Sequence, residues 1–228
     1  MDNFLKVKTF FEDLFFPKFC LGCNREGYFL CQDCRHLLDI LEVSFSAKNK
    51  YLDGLYFALS YKENKLCQRL VHNFKYPPYL RALAPVMADI LIEHFVKIGQ
   101  NTDQIWKNSV LIPVPLHKKK MAERGYNQSE ELAKELSPIL KIPVLTDVLI
   151  KTKETKSQIG LGGRAREENM LGAFSLTKNP CEPQLHGFSK VFLVDDVYTT
   201  GSTMQECAKI LKQSGVKSVR GIAFAREA

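Results

Sequence analysis

The sequence lacks any apolar run long enough to cross a membrane as a helix. Its most apolar stretches, such as residues 110–116, fall far short of the roughly 20 residues that a spanning helix needs. A signal peptide is not indicated either, because Asp2, Glu12 and Asp13 interrupt the first residues and no small-residue cleavage site follows. We therefore expect a cytoplasmic chain without a transmembrane segment.

Two common nucleotide-binding patterns are also missing. A P-loop requires Gly-x-x-x-x-Gly-Lys followed by Ser or Thr, and a dinucleotide-binding fold requires Gly-x-Gly-x-x-Gly after a strand. Neither pattern occurs in the sequence, and no Ser-His-Asp arrangement for nucleophilic catalysis is evident. These absences argue against P-loop NTPases, dinucleotide-dependent enzymes and serine hydrolases.

Length and composition suit one ordinary globular domain with a small additional module. The chain has 228 residues, of which 45% are apolar and 25% charged. We place the module in residues 1–50 and the larger domain in residues 51–228, and apolar spacing predicts an amphipathic helix over residues 3–16. The formal net charge of +7 and the isoelectric point near 9.0 favour an anionic partner, such as phosphate groups or nucleic acid.

Four of the seven cysteines form two Cys-x-x-Cys pairs, Cys20 with Cys23 and Cys31 with Cys34. Four thiolates can close a tetrahedron around Zn²⁺ and leave no open position for catalysis, so we expect a structural zinc site. The spacer between the pairs is shorter than in a zinc ribbon, which predicts a compact knuckle and hairpin. The alternative is disulfide bonding, which requires an oxidising compartment, and nothing in the sequence indicates export.

The most informative stretch begins with four apolar residues, 191–194, which predict a buried parallel strand. Asp195 and Asp196 follow where this strand should end. A turn rich in hydroxyl side chains then leads into a predicted helix, for which Thr203 and Glu206 have the spacing of a capping box.

This turn has the chemistry of an anion site. Backbone N–H groups between a parallel strand and a helix point outward, and the helix N-terminus adds about half a positive charge. The two acids suit the vicinal hydroxyls of a sugar, or a Mg²⁺ ion that bridges them. Phosphate, two hydroxyls and a metal together describe a phosphorylated ribose, and a solvated acidic turn is the alternative. The predicted phosphate-binding residues are Thr199, Thr200, Gly201, Ser202 and Thr203.

The remaining sequence alternates strand and helix signals. After residue 109 the order is strand, helix, strand, polar segment, strand, helix, strand, which predicts a parallel α/β sheet flanked by helices. The polar segment, residues 151–169, is typical of a lid. The predicted strands are residues 54–62, 109–115, 144–150, 191–194 and 217–225, the predicted helices are residues 63–75, 80–96, 127–140 and 204–213, and residues 174–189 are predicted to be irregular.

Cations cluster in two places, and aromatic residues accompany one of them. Aromatic rings that stack on bases, together with cations that neutralise the phosphate backbone, suit single-stranded nucleic acid. The alternative is a solvated helix surface. A basic loop after the strand over residues 109–115 should face the acidic turn and clamp pyrophosphate, with a solvated loop as the alternative. The nucleic-acid candidates are Lys62, Lys65, Arg69, Lys75, Tyr76, Lys119 and Lys120, and the pyrophosphate candidates are Lys118 and Arg124.

Residues 191–203 resemble the phosphoribosyl-pyrophosphate signature of type I phosphoribosyltransferases, and nearly the whole chain resembles the ComF competence proteins. The second resemblance rests on the four cysteines, on an Arg-Gly-Tyr-Asn-Gln motif at residues 124–128 and on a Gln-x-x-Leu-x-x-Arg-x-Arg-x-x-Asn-x-x-Gly-Ala-Phe motif at residues 158–174. It implies a type I phosphoribosyltransferase-like sheet with a small four-cysteine zinc module. It also implies that Asp195 and Asp196 hold ribose hydroxyls with Mg²⁺, and that Arg164 and Arg166 of the lid contact pyrophosphate.

The ComF resemblance further implies a role in DNA uptake during natural transformation. Members of the family are thought to act on incoming single-stranded DNA at the inner face of the membrane, beside other DNA-uptake proteins. We favour a chain that binds single-stranded DNA and phosphoribosyl pyrophosphate. The alternative is a catalytic phosphoribosyltransferase of nucleotide salvage or synthesis, in which a nitrogen base displaces pyrophosphate through electrostatic stabilisation. Family members often have a serine in the lid where this chain has Gly162 and Gly163.

Overall fold

The computed structural model describes residues 17–44, 50–100, 103–155, 170–177, 185 and 187–227. The helix predicted over residues 3–16 and most of the predicted lid, including Arg164 and Arg166, lie outside the described residues. Within the described part of the chain, no helix is long and apolar enough to cross a membrane.

A four-stranded sheet and a separate two-stranded sheet form the framework of the protein. The strands are β1 (Gly54–Ser60), β2 (Ser109–Pro113), β3 (Leu149–Lys151), β4 (Phe174–Leu176), β5 (Lys190–Tyr198) and β6 (Ser218–Arg226). The larger sheet is parallel throughout and has the order β1-β6-β5-β2, whereas β3 and β4 pair antiparallel. The helices are α1 (Gln32–His36), α2 (Lys65–Lys75), α3 (Ala84–Lys97), α4 (Asp103–Trp106), α5 (Lys118–Arg124), α6 (Gln128–Leu140) and α7 (Ser202–Gln213), and a 3₁₀ turn covers Arg81–Leu83.

Packing covers both faces of the parallel sheet, as a parallel sheet requires. Phe192 and Val194 of β5 belong to a core cluster that includes buried residues of α2, α3 and α6. Val191 and Leu193 belong to a second cluster, with buried residues of α7, β3 and β4. Strand β5 pairs with β2 over residues 190–194 and with β6 as far as Tyr198, so its carboxyl end is held by β6. The predicted parallel α/β fold is confirmed.

The strand predicted over residues 144–150 is wrong in extent and in partner. Only Val144 pairs with the parallel sheet, through a bridge to Leu111. Polar residues interrupt the apolar run after this point, and the chain resumes a strand at Leu149, which pairs with Leu176. Part of the segment predicted to be irregular, residues 174–189, therefore forms β4.

The basic loop predicted after β2 is also different, because most of it forms the short helix α5. The side chain of His117 caps this helix by accepting a hydrogen bond from the backbone N–H of Lys119. Gly125, with a φ of 76°, ends it in the left-handed conformation that glycine adopts without strain. Asn127 caps the next helix, since its side chain accepts a hydrogen bond from the backbone N–H of Ser129 at 3.1 Å.

Candidate functional site

A cleft of about 520 Å³ opens where β5 ends. The carboxyl ends of parallel strands meet at one edge of a sheet, where ligands of open α/β folds bind. The acidic pair and the hydroxyl-rich turn reach this edge from β5, and basic side chains reach it from α2, α5 and β3. The charged residues that line the cleft include Lys75, Lys120, Arg124, Lys151, Asp195 and Asp196.

Asp196 forms an ion pair at the floor of the cleft. Its side chain is 4% exposed, and its Oδ1 atom lies 2.9 Å from the ammonium nitrogen of Lys75. The same oxygen accepts a hydrogen bond from the backbone N–H of Val197 at 2.7 Å. The other oxygen, Oδ2, is buried and has no hydrogen-bond partner among the described residues. Burial opposes the charge on Lys75, but the nearby carboxylates outweigh it and raise the pKa of this ammonium.

Asp195 has a different environment from its neighbour. Its Oδ1 atom accepts hydrogen bonds from Ser129 Oγ and from the backbone N–H of Asp196, both at 2.9 Å. Burial, followed by the adjacent charge of Asp196, raises the pKa of Asp195 to about 7. A carboxyl that can carry a proton, next to the ion-paired Asp196, suits the pair to binding hydroxyl groups, which both donate and accept.

The turn after β5 depends on Gly201, which has a φ of 80° and is the N-cap of α7. The ring of Tyr198 packs against its Cα, so closely that a Cβ at this position would collide with the ring. Thr199, Gly201 and Thr203 line the cleft, while Thr200 Oγ1 and Ser202 Oγ lie 2.9 Å apart. The predicted phosphate turn and the acidic pair therefore reach the same cleft.

The capping box predicted from Thr203 and Glu206 is wrong. The helix begins at Ser202, before Thr203, and its N-cap is Gly201, which has no side chain to accept a hydrogen bond. Glu206 instead accepts the backbone N–H of Gly172 at 2.9 Å and so ties α7 to the segment before β4. The helix therefore begins two residues before its predicted start at residue 204.

Three further cations line the cleft. The side chain of Arg124 donates a hydrogen bond to Gln128 Oε1 at 2.8 Å, and its guanidinium lies 5.8 Å from the ring centroid of Tyr76. Burial, followed by the charge of Arg124, lowers the pKa of Lys120. Burial, followed by the charge of Lys120, lowers the pKa of Lys151 to about 8. Burial and mutual repulsion therefore disfavour the charged forms of these lysines, and a bound anion would stabilise them.

The other basic candidates do not line this cleft. Lys62, Lys65 and Lys118 are exposed, and Lys119 forms an exposed ion pair with Glu154. Of the seven nucleic-acid candidates, three line the cleft, namely Lys75, Tyr76 and Lys120.

The four predicted metal ligands come together at one point. The sulfur atoms of Cys20, Cys23, Cys31 and Cys34 all lie within 4.8 Å of one another, and none of them forms a disulfide. Zinc–sulfur bonds of about 2.3 Å in a tetrahedron place the sulfurs about 3.8 Å apart, so the cluster could hold a metal ion. Gly22 is required within it, because a Cβ there would lie 2.9 Å from Cys34 Cβ.

The cysteine module is fastened to the larger domain through α2. Arg69 donates hydrogen bonds to the carbonyl oxygens of Leu21 at 2.7 Å and Gly22 at 3.3 Å. Leu66 packs against the cysteine cluster, and Arg35 forms an ion pair with Glu93 at 3.0 Å. The helix that presents Lys75 to the cleft therefore also holds the cysteine module.

Several residues of the cleft were missed in the sequence. Ser129 could have been predicted from the sequence. It lies at the start of a helix that follows a strand, so it must lie near the same edge of the sheet as Asp195. Lys151 also follows a predicted strand directly. The pairing of Lys75 with Asp196 joins residues 121 positions apart, and neither residue signals it in the sequence.

Comparisons with known proteins agree with this geometry. The model of the family described as "Phosphoribosyl transferase domain" matches residues 126–228. The chain is 38% identical over 131 residues to "Competence protein F" of Haemophilus influenzae, an alignment that covers 58% of this chain and 56% of that protein. These matches support a ComF-like chain with a phosphoribosyltransferase-like domain.

Two further relatives extend the comparison. "Competence protein ComFC" of Bacillus subtilis is 32% identical over 111 residues, which are 48% of this chain and 40% of that protein. "DNA utilization protein YhgH" of Escherichia coli K12 is 30% identical over 151 residues, which are 66% of this chain and 63% of that protein. The alignments thus span between 40% and 63% of the length of these relatives. The phosphoribosyltransferase match includes the acidic pair. It includes neither the four clustered cysteines, residues 20–34, nor Lys75.

Proposed function

We propose that the cleft of this ComF-like chain binds phosphoribosyl pyrophosphate. The supporting observation is that Asp195 and Asp196 lie near the carboxyl end of the central parallel strand β5, which ends at Tyr198 and leads into the Gly201 turn. Ribose hydroxyls would contact the acidic pair, and the ribose phosphate would lie on residues 199–203. Lys120, Arg124 and Lys151 of the described residues would neutralise pyrophosphate, and the lid cations Arg164 and Arg166 would add to this charge.

Carboxylate oxygens are the donors that Mg²⁺ prefers, so the acidic pair is the place where Mg²⁺ would be held with this ligand. Of the two Asp196 oxygens, Oδ2 is buried without a partner among the described residues, and Oδ1 already contacts Lys75. When bound, the ion would supply charge neutralisation for the pyrophosphate. The cysteine cluster would hold Zn²⁺, which four thiolates bind as a structural ion.

We further propose that the chain binds single-stranded DNA in DNA uptake, with other uptake proteins at the inner face of the membrane. The relatives named for competence and for DNA utilization support a DNA-related role. In the cleft, Tyr76 lies beside Arg124 and Lys120, which combines a stacking face with phosphate-neutralising charge. The exposed Lys62 and Lys65 would continue this path along α2.

Catalysis is the second candidate function. A cleft of about 520 Å³ has the size of a small-molecule site. The lining also includes the apolar side chains of Tyr61, Val71 and Leu116, which would contact a nitrogen base. The reaction would break the bond from the ribose carbon to pyrophosphate and form a bond from that carbon to the base nitrogen. The cations of the cleft would stabilise the departing pyrophosphate.

The first test measures thermal stability with phosphoribosyl pyrophosphate and Mg²⁺. A ligand of the folded state raises the melting temperature by mass action, by about 2.7 kcal/mol of stability at one hundred times Kd. Replacing Asp195 and Asp196 together with Asn should abolish this rise, whereas Asp33→Asn in the cysteine module should retain it. An unchanged rise in the double variant would show that the ribose assignment is wrong.

The second test measures binding of a labelled single-stranded oligonucleotide by fluorescence anisotropy across a salt series. Each phosphate contact contributes about 0.7 to the salt slope for a single strand. Replacing Lys120 with Gln tests a path through the cleft, and replacing Lys62 and Lys65 tests a path along α2. Tyr76→Ala should weaken binding while leaving the slope unchanged, because stacking releases no counterions. No binding at low salt, together with pyrophosphate release in the presence of one free base, would favour the catalytic alternative.

A further inference from the structure

The ammonium of Lys75 is already placed where a metal ion would contact the acidic pair. It lies 2.9 Å from Asp196 Oδ1, and the Lys75 side chain is itself 27% exposed while that of Asp196 is 4% exposed. Among the described residues, no other cation lies within ion-pair distance of either acid. The contact is therefore a specific feature of the cleft floor and not part of a diffuse basic surface.

The hydrogen bonds of the two acids leave little room for inner-sphere metal binding. Asp195 Oδ1 accepts from Ser129 Oγ and from a backbone N–H, and Asp196 Oδ1 accepts from Lys75 and from a backbone N–H. Mg²⁺ requires oxygen ligands at about 2.0–2.1 Å in nearly ideal octahedral geometry. A Mg²⁺ ion on Asp196 Oδ1 would thus lie close to an ammonium that contacts the same atom, and like charges at that separation repel strongly.

Lys75 is also held in place from outside the cleft. It is the last residue of α2, whose Leu70 and Phe74 are fully buried in the core. The carbonyl oxygen of Phe74 accepts hydrogen bonds from Tyr126 Oη and Gln128 Nε2, which fixes the end of α2 against the residues before α6. Withdrawal of the ammonium from Asp196 would therefore depend on rotations within its side chain alone.

We propose that Lys75 is the resident cation of the acidic pair and takes the place of a divalent metal ion on Asp196. This inference rests on the proposed phosphoribosyl site and specifies how that site is neutralised. Lys75 is then a positioning residue, which contacts Asp196 Oδ1 and holds this carboxyl group in one orientation for ribose hydroxyls. Any Mg²⁺ would arrive with the pyrophosphate of the ligand and would not be bound by Asp196 beforehand.

The experiment titrates the ligand-free, zinc-loaded protein with Mn²⁺, a paramagnetic substitute for Mg²⁺, and follows the free ion by electron paramagnetic resonance. The parent protein should show no saturable Mn²⁺ site at the acidic pair. Lys75→Met should increase Mn²⁺ affinity by at least about tenfold, because the competing charge is removed, and adding Asp196→Asn should reverse the gain. Lys75→Arg should behave as the parent, and Lys120→Met controls for the general loss of a cleft cation.

Equal Mn²⁺ affinity in the parent and Lys75→Met would overturn the proposal, as would a gain of the same size in Lys120→Met. If Lys75→Met does not fold, Lys75→Gln provides the same comparison.

The ligand is tested separately by thermal shift with phosphoribosyl pyrophosphate in buffer freed of divalent ions by a chelating resin. A shift, with or without added Mg²⁺, supports the phosphoribosyl site and leaves the role of Lys75 to the Mn²⁺ titration. Absence of any shift would count against the phosphoribosyl site, while the Mn²⁺ titration would still decide the role of Lys75.

Discussion

Replacing Gly201 with Ala provides a quantitative test of how the phosphate turn is built. Gly201 has a φ of 80°, and a left-handed conformation costs a residue with a Cβ roughly 1–2 kcal/mol. The new Cβ would also lie 2.8 Å from Cε2 of Tyr198 and closer still to other atoms of the ring. Tyr198 is buried, so moving its ring adds an overpacking cost of about 1–3 kcal/mol. We therefore expect Gly201→Ala to lower the free energy of unfolding by about 2–5 kcal/mol.

Gly125→Ala is a matched control for this substitution. Gly125 has a φ of 76°, but a Cβ there would meet no atom within 4 Å, so only the backbone cost of roughly 1–2 kcal/mol remains. Urea denaturation gives the loss in the free energy of unfolding for each variant. The difference between the two losses is the cost of the collision with Tyr198. In a Tyr198→Ala background, Gly201→Ala should cost no more than Gly125→Ala does, because the two neighbouring substitutions are coupled. Equal costs for the two glycines in the parent background would refute the account of the turn.

Three shorter predictions concern the cysteine cluster, the fastening of its module and the cleft. Metal analysis should find about one zinc per chain, and Cys31→Ser should lose it and destabilise the module, because metal binding is coupled to folding. Arg69→Met should lower zinc retention against a chelator, since it removes the hydrogen bond to Leu21, whereas Lys65→Met should not. Burial lowers the pKa of Lys151 from 10.5 to about 8; between these values the unfolded chain binds more protons, so the free energy of unfolding rises with pH. Lys151→Met should remove that rise in urea titrations at pH 8 to 10.5, and an unchanged rise would contradict the assignment.

The parts of the site that the sequence predicted are contiguous in the chain. Asp195, Asp196 and the turn through Thr203 follow one another directly, so a single strand end brings them to one edge. The four cysteines are likewise close in sequence, and short spacers alone bring their sulfur atoms together. Helix α6 was predictable because its Asn127 cap and its apolar period are local features.

The parts that could not be predicted depend on contacts between distant segments. Lys75 was assigned to nucleic acid because it follows other cations on α2, but its ammonium contacts Asp196, 121 residues away. Arg69 was assigned in the same way, and it donates to a carbonyl oxygen of the cysteine module. The start of α7 also differs from its prediction. The N-cap is Gly201, which packs against Tyr198, and the spacing of polar residues does not predict this contact.

The strand order has a consequence for synthesis of the protein on the ribosome. Strand β6 lies between β1 and β5, yet it is translated after both of them. Until β6 has emerged, β1 and β5 each retain an unpaired edge, and such edges promote association between chains. Translation that stalls before Ser218 should therefore yield an aggregation-prone fragment that depends on chaperones, even though the acidic pair and every described basic residue of the cleft have already been made.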